Sequence, residues 1–416
     1  MAYNDRETLV QERWTLDQFK DWQDICINCG ACAAHGPIIP HNNEELPPPG
    51  WSSPEYKCPS LEYYKFKTFA GQGRLALAVN LFQDKIPVTD SLINIMYTCA
   101  SCGICNEICP AYKPMQVILA AKEDICSRGK QLPEPLCELF ENMEVAGNLF
   151  GLDKRAKAAL KLPETGEYLY FTGCYTSYLL PQIGYVNGEI LKQAGVDVCC
   201  LGEDETCCGE VARQAGNTEL FRKIALSNIE KVKKTGAKKI IVNCAHCYKT
   251  WKEAYPWVMQ EELPFEVLHI TEAFSELIQH GKLTPVIPVE RNITYHDPCF
   301  LRSQVNEQPR KILESIPGLR LTEMERNGRW SYCCGSGAKI ALNCYPDYAA
   351  ETGRERAEEA ARAAEEVVTA CPVCYNQLRF TAKTEGIALK VNDISFLLAE
   401  SLGISQDIHV RREDES

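Results

Sequence analysis

The stretch "CCLGEDETCCG", Cys199 to Gly209, holds two adjacent-cysteine pairs, and which pair carries chemistry decides how the chain is organised. Only the second pair recurs. Cys207-Cys208-Gly209 is matched by Cys333-Cys334-Gly335, and each triplet has a cysteine upstream and a C-x-x-C unit downstream. In the first copy these are Cys174 in "YLYFTGC" and Cys244 with Cys247 in "IIVNCAHC"; in the second, Cys299 in "ITYHDPC" and Cys371 with Cys374 in "EVVTACPVC". Matched positions are offset by 125 residues (Cys174 to Cys299), 126 (Cys208 to Cys334) and 127 (Cys247 to Cys374). So small a drift is the signature of an internal duplication. The alignment puts Glu325 and Arg326 opposite Cys199 and Cys200, which therefore read as packed thiols at a strand end, a common fate of unliganded cysteine. Cys126, Cys137 and Cys344 have the same reading.

Composition narrows what the repeats can be for. The chain has 416 residues, ordinary apolar and charged fractions, and a net charge of −12 with no basic stripe, which argues against a nucleic-acid partner. The opening "MAYNDRETLVQERW" lacks an apolar leader, and no stretch approaches the ~20 apolar residues of a membrane span. A cytoplasmic protein is expected, peripheral to a membrane only through a partner. Twenty-three cysteines in a chain too long to need disulfide staples, clustered in C-x-x-C units, point to metal ligation in a reducing compartment.

The run "CASCGICNEICP" has Cys99, Cys102, Cys105 and Cys109 ahead of Pro110. In this C-x₂-C-x₂-C-x₃-C-P spacing three thiolates hold one face of a [4Fe–4S] cubane and the fourth reaches a neighbouring cluster, whereas structural zinc uses separated knuckles. "CINCGACAAHGP" repeats the spacing with Cys26, Cys29 and Cys32, but Gly36 occupies the fourth position; Cys58-Pro59 restores a cysteine-proline pair after an insertion. Cross-ligation then assigns Cys26, Cys29, Cys32 and Cys109 to one cubane and Cys99, Cys102, Cys105 and Cys58 to the other. Between Cys58 and Cys99, "GQGRLALAVNLF" and "TDSLINIMY" carry apolar residues at helical spacing, with Thr89 placed as an N-cap. "GQGRLA" matches the dinucleotide fingerprint only loosely, having no strand before it. "KLPETGEYLYF" reads as a linker turn leading into a strand.

The duplicated C…CCG…C-x-x-C pattern resembles the cysteine-rich domains of heterodisulfide reductase. A helical two-cluster ferredoxin followed by two such domains resembles that enzyme's D-type subunit, or a fusion of its C-type and B-type subunits. The resemblance runs from about Cys26 to the end of the second repeat. It implies that each five-cysteine set, Cys174, Cys207, Cys208, Cys244 and Cys247, then Cys299, Cys333, Cys334, Cys371 and Cys374, binds a noncubane [4Fe–4S] cluster, and that the pair of clusters reduces a disulfide. It also implies a hetero-oligomer. The partner would be a flavoprotein oxidoreductase subunit, as in electron-bifurcating assemblies, or a membrane quinone or cytochrome subunit. Gly36 departs from the family pattern and bears on the wiring of the first cubane.

Strand-like runs ("EYLYFTG", "KKIIVN", "RNITYHD", "EEVVTA") alternate with helical ones, and Leu220, Ile224, Ile229 and Val232 form a buried stripe. The expected fold is α+β and multidomain: a helical ferredoxin-like domain at 1–125 with two [4Fe–4S] cubanes, a helical linker at 126–165, α/β CCG domains at 166–290 and 291–405, and a tail at 406–416. His246 and His296 are candidates for tuning a cluster by hydrogen bonding or for proton transfer, beside a purely structural role. The expected function is electron transfer between the cubanes and the duplicated domain, in an oxidoreductase active only as part of a complex. Two other readings stay open: the iron-sulfur subunit of an FAD-linked glycolate, lactate or glycerol-3-phosphate dehydrogenase, and a zinc-stabilised scaffold.

Overall fold

In the computed structural model, residues 58–109, 113–153, 160–302 and 304–405 are described; Cys26, Cys29 and Cys32 lie outside them. Four apolar runs become the inner strands of two sheets. The first sheet comprises β1 (Tyr168–Phe171), β2 (Val198–Cys199), β3 (Lys239–Val242) and β4 (Glu266–His269), in the order β2-β1-β3-β4. The second comprises β5 (Arg291–His296), β6 (Leu319–Leu321), β7 (Glu366–Thr369) and β8 (Lys390–Asp393), in the order β6-β5-β7-β8. All pairings are parallel, with Leu169 opposite Ile240 and Thr294 opposite Val367. Identical strand order in both sheets is the structural counterpart of the drift-free cysteine offsets. Parallel sheets are covered by helices on both faces, which is why β1, β3 and β7 read as continuous apolar runs instead of alternating ones.

The edge strands β2, β4, β6 and β8 are not among the expected strands. Each is two to four residues long, and the second repeat's β6 is only "LRL", too short to carry a period-2 signal. The helices are more legible. Helix Thr218–Thr235 starts where Asn217 accepts a hydrogen bond from the Leu220 N–H (3.1 Å) and stops at Gly236, in the left-handed region. Its residues Leu220, Ile224, Ile229 and Val232 are buried, as their spacing predicts.

The described N-terminal part is helical. Helix Asp90–Tyr97 is capped by Thr89, whose side chain accepts from the Leu92 N–H at 3.2 Å. "GQGRLA" opens helix Gly71–Phe82 and follows a short 3₁₀ turn, Lys67–Phe69, so it is not the strand-to-helix loop of a dinucleotide site. Helix Pro114–Ser127 packs against helix Gly71–Phe82 and against helix Glu210–Ala215 of the first repeat. At that seam the Tyr97 hydroxyl donates to the Ala215 carbonyl (2.8 Å). Gly216 closes it, with φ 86° and a backbone so near that an added Cβ would lie 2.4 Å from the Lys122 carbonyl.

Gly216 and Gly236 both end helices with positive φ, but nothing lies within 4 Å of a Cβ built on Gly236. Gly216→Ala combines left-handed strain with overpacking and is expected to cost about 2–4 kcal/mol. Gly236→Ala is expected to cost about 1 kcal/mol, from strain alone. Thermal unfolding of the two variants side by side checks the difference; equal destabilisation would mean that the seam does not contribute.

Candidate metal-cluster sites

Each cysteine stands where a parallel strand or its loop delivers it to the carboxyl end of the sheet, the usual ligand side of an open α/β sheet. Cys244 directly precedes helix Ala245–Lys249 behind β3, and Cys371 precedes helix Pro372–Thr384 behind β7. Cys174 and Cys299 follow β1 and β5 by three residues. The loop carrying Cys174 is held by buried Glu205, whose carboxylate accepts from the Thr172 N–H (3.0 Å), the Thr172 hydroxyl (2.7 Å) and the Gly173 N–H (2.9 Å). In the second repeat Asp297 has that duty, accepting from the Gly328 N–H (2.8 Å) and from both guanidinium nitrogens of Arg310 (2.8 and 3.0 Å).

The Cys-Cys-Gly triplets are built alike. In each, the glycine N–H lies 3.4 Å from the first sulfur of the pair, as a donor, and the glycine itself has positive φ, 80° at Gly209 and 97° at Gly335. A Cβ on Gly335 would sit 2.4 Å from the Ala349 carbonyl oxygen, so close approach as well as φ requires glycine. Asn228 donates to the Cys207 carbonyl (2.9 Å), and the Tyr255 hydroxyl to the Cys208 carbonyl (3.0 Å), fixing the direction of the first pair.

The ten cysteines of the two repeats form one continuous series of sulfur contacts. Cys174 contacts Cys207, which contacts Cys208; Cys208 contacts Cys247 and Cys247 contacts Cys244. Cys244 then crosses to Cys371 of the other repeat, and Cys371 leads through Cys374, Cys334 and Cys333 to Cys299. Neighbouring sulfurs cannot all ionise in a dry interior. Hydrogen bonds from Cys207, Cys247 and Cys299 hold Cys208, Cys244 and Cys333, respectively, well below the ordinary thiol range. Those three donors are correspondingly held well above it, Cys207 and Cys247 by their sulfur contacts first and then burial, Cys299 by Cys333 first. An all-sulfur, buried donor set suits soft metals and iron–sulfur clusters, and five thiols per repeat exceed the four of a structural zinc site.

The series continues toward the ferredoxin side. Cys102 is buried with Cys333, Ile104, Ala341 and Tyr348, and burial, followed by Cys333, pushes its thiol up to about 12; Cys58 acts on it in the same sense. Cys99 and Cys105 are buried together beside Met115, with the Cys99 sulfur 3.9 Å from the Met115 sulfur. Cys109 ends helix Ile104–Ile108, its N–H bonded to the Cys105 carbonyl (3.0 Å). The partners expected for Cys109, namely Cys26, Cys29 and Cys32, are outside the described residues.

Cys199 and Cys200 stand apart from this series. Cys199 lies on β2 with its sulfur 4.0 Å from the Gly166 carbonyl, and burial first raises its thiol, to about 11. Both candidate histidines adjoin sulfurs: one nitrogen of His246 lies within 4.8 Å of the Cys244 and Cys371 sulfurs, and one of His296 within 4.8 Å of Cys334 and Cys374. Arg356 Nε–H donates to His296 Nδ1 at 2.9 Å. An arginine nitrogen only donates, so Nδ1 is the acceptor and Nε2 carries the proton. Sequence reading missed Arg356, Glu205 and Lys339, because charged residues outside any motif give no sign of where folding buries them.

Replacing Cys199 with Ala is expected to cost no more than about 1–2 kcal/mol of packing and to leave bound iron unchanged. Cys207→Ser or Cys208→Ser should remove one cluster's worth of iron and its spectral signal. Iron analysis beside thermal unfolding tests the contrast, and iron loss in the Cys199 variant would contradict the repeat-based assignment.

The geometry agrees with independent comparisons. A model of the cysteine-rich domain matches residues 168–252 and 293–379, and one of the 4Fe-4S dicluster domain matches residues 22–112. Over 400 residues the chain is 29% identical to the D-type subunit of the dihydromethanophenazine:CoB–CoM heterodisulfide reductase of Methanosarcina barkeri, covering 92% of this chain and 94% of that protein. It is 27% identical over 397 residues to the B-type subunit of the CoM/CoB fumarate reductase of Methanothermobacter marburgensis, covering 91% and 73%. To the EtfAB:quinone oxidoreductase of Syntrophomonas wolfei it is 30% identical over 376 residues, covering 81% of this chain and 51% of that protein, so it spans about half of the larger relative. Two cysteine-rich domains behind a dicluster domain, shared with these proteins over most of the chain, place it in the family of heterodisulfide reductase D-type iron-sulfur proteins.

Proposed function

We propose that the chain relays electrons between two cubane [4Fe–4S] clusters near its N-terminus and two noncubane [4Fe–4S] clusters, one in each cysteine-rich repeat. The observation that carries this reading is the unbroken run of thiols from Cys102, beside Cys333, through both repeats to Cys174. Cys26, Cys29, Cys32 and Cys109 hold one cubane; Cys99, Cys102, Cys105 and Cys58 hold the other, which adjoins the second repeat. Domain limits at 125, 165, 290 and 405 belong to the same proposal. Each cubane passes one electron at a time. Two clusters in contact-linked sites hold the two electrons that, with two protons, convert a disulfide into two thiols.

The substrate side of this reading draws on the relatives: the Methanosarcina protein is named for the CoB–CoM heterodisulfide, and the Syntrophomonas protein for quinone and EtfAB. Among the described residues no helix is long and apolar enough to cross a membrane, and the described residues hold no recognisable flavin or nicotinamide loop. Hydride chemistry therefore belongs to a flavoprotein partner, or quinone chemistry to a membrane partner.

Anaerobically purified chain should contain about sixteen irons and almost no zinc. A reproducible value near eight would remove the clusters of the duplicated domain, and stoichiometric zinc would favour the scaffold reading. Dithionite should bleach the isolated chain while NADH and hydroxy acids do not until a flavoprotein is added. NADH oxidation by the pure chain would overturn the relay assignment.

A further inference from the structure

The residues behind the second Cys-Cys pair follow a backbone that few sequences adopt. Gly335 has φ 97° and Gly337 53°, and two residues with side chains, Ala338 (53°) and Lys339 (70°), also occupy the left-handed region. Each such non-glycine residue costs about 1–2 kcal/mol, and a pair of them persists only where the surroundings over-determine it. Here the turn is wedged between two other parts of the molecule. A Cβ on Gly337 would stand 3.5 Å from Ala100 on the ferredoxin side, while Gly337–Lys339 packs against helix Glu210–Ala215, directly behind the first Cys-Cys-Gly.

The outcome is that Lys339 leaves its own repeat and enters the other. It is 5% exposed, and its Nζ lies 5.1 Å from the ring centroid of Tyr175, the residue after Cys174. Among the described residues no carboxylate pairs with it. Burial opposes its charge, but Cys244, Cys208 and Cys207, all of the first repeat, outweigh burial and keep the ammonium protonated. At the offset of 126 the matching residue is Arg213, which sits in a regular helix and pairs with Glu210 of its own repeat at 3.1 Å. One copy of the duplication neutralises its cation locally; the other exports it.

We propose that Lys339 is the charge-compensating residue of the first-repeat cluster and makes that cluster the electron-accepting end of the pair. This rests on the reading that the first five-cysteine set holds an iron–sulfur cluster. Potentials of such clusters follow net local charge, and a buried cation favours the reduced, more negative state. The step is a one-electron transfer. The second-repeat cluster is oxidised by one electron and the first-repeat cluster reduced by one, with no bond broken and no proton required, because Lys339 already carries the balancing charge. Lys339 acts through its field and is a positioning residue, not a ligand.

The test is a redox titration of the anaerobically loaded full chain, followed by electron paramagnetic resonance. Lys339→Asn removes the charge and tolerates left-handed backbone. It should make one cluster about tenfold harder to reduce, a fall of about 59 mV for a one-electron couple, with iron content and the other signals unchanged. Lys339→Arg should restore the midpoint. Lys339→Gly, which removes both charge and strain, guards against a folding failure and should show the same fall at full iron. Unchanged midpoints in either neutral variant at full iron, or an equal shift of every signal, would overturn the proposal. A wild-type chain that lacks a first-repeat cluster signal would instead sink the cluster assignment beneath it.

Discussion

Ten sulfurs in mutual contact and almost out of reach of water are a poor arrangement for thiols alone. Each can lose its proton only if its neighbour keeps one, which is why Cys208, Cys244 and Cys333 are favoured as thiolates while Cys207, Cys247 and Cys299 are not. A bound metal removes that conflict by taking every proton's place, so metal loading and folding are coupled through this cluster of side chains. The rest of the molecule serves the crowding. Glu205 and Asp297 tie down the loops that lead into Cys174 and Cys299, and glycines at 209 and 335 let the backbone come near enough for paired sulfurs to point inward.

Duplication supplies the scaffold, and divergence between the copies supplies direction. The sheets share one strand order, but the segment after the Cys-Cys-Gly triplet is a helix in the first repeat and a left-handed turn in the second. The histidines diverge as well. At the offset of 125 His296 stands where the first repeat has Phe171, so an N–H fixed by Arg356 serves only the second set of cysteines. The ferredoxin side is also unevenly placed, with Cys102 beside Cys333. Symmetric ligand sets thus sit in unequal surroundings, as a path with a beginning and an end requires.

Much of this was legible in the amino-acid order. Cysteine spacing is a local property, because a strand followed by a tight turn delivers C-x-x-C to a metal whatever lies beyond, and so the repeat, its inner strands and the division into a ferredoxin part and two α/β units could be read directly. The stripe at Leu220, Ile224, Ile229 and Val232 and the cap at Thr89 are local too, and both stand where periodicity and capping chemistry put them. Edge strands of two to four residues fall below any periodic signal, and they form because the inner strands offer unpaired backbone groups.

Sequence by itself determined which cysteines could act together within a repeat, since chain connectivity alone holds them at ligand spacing. It also separated Cys207 and Cys208 from Cys199 and Cys200, since only the former pair recurs. Tertiary structure alone decided how the repeats meet: Cys244 against Cys371, Cys102 against Cys333, and Lys339 inside the opposite repeat. Those contacts join residues about 95 to 230 positions apart, held by packing between separately formed sheets and helices. Nothing in the local chemistry of a lysine after a serine-glycine turn says whose cysteines it will face; only the burial of the surfaces between the repeats does.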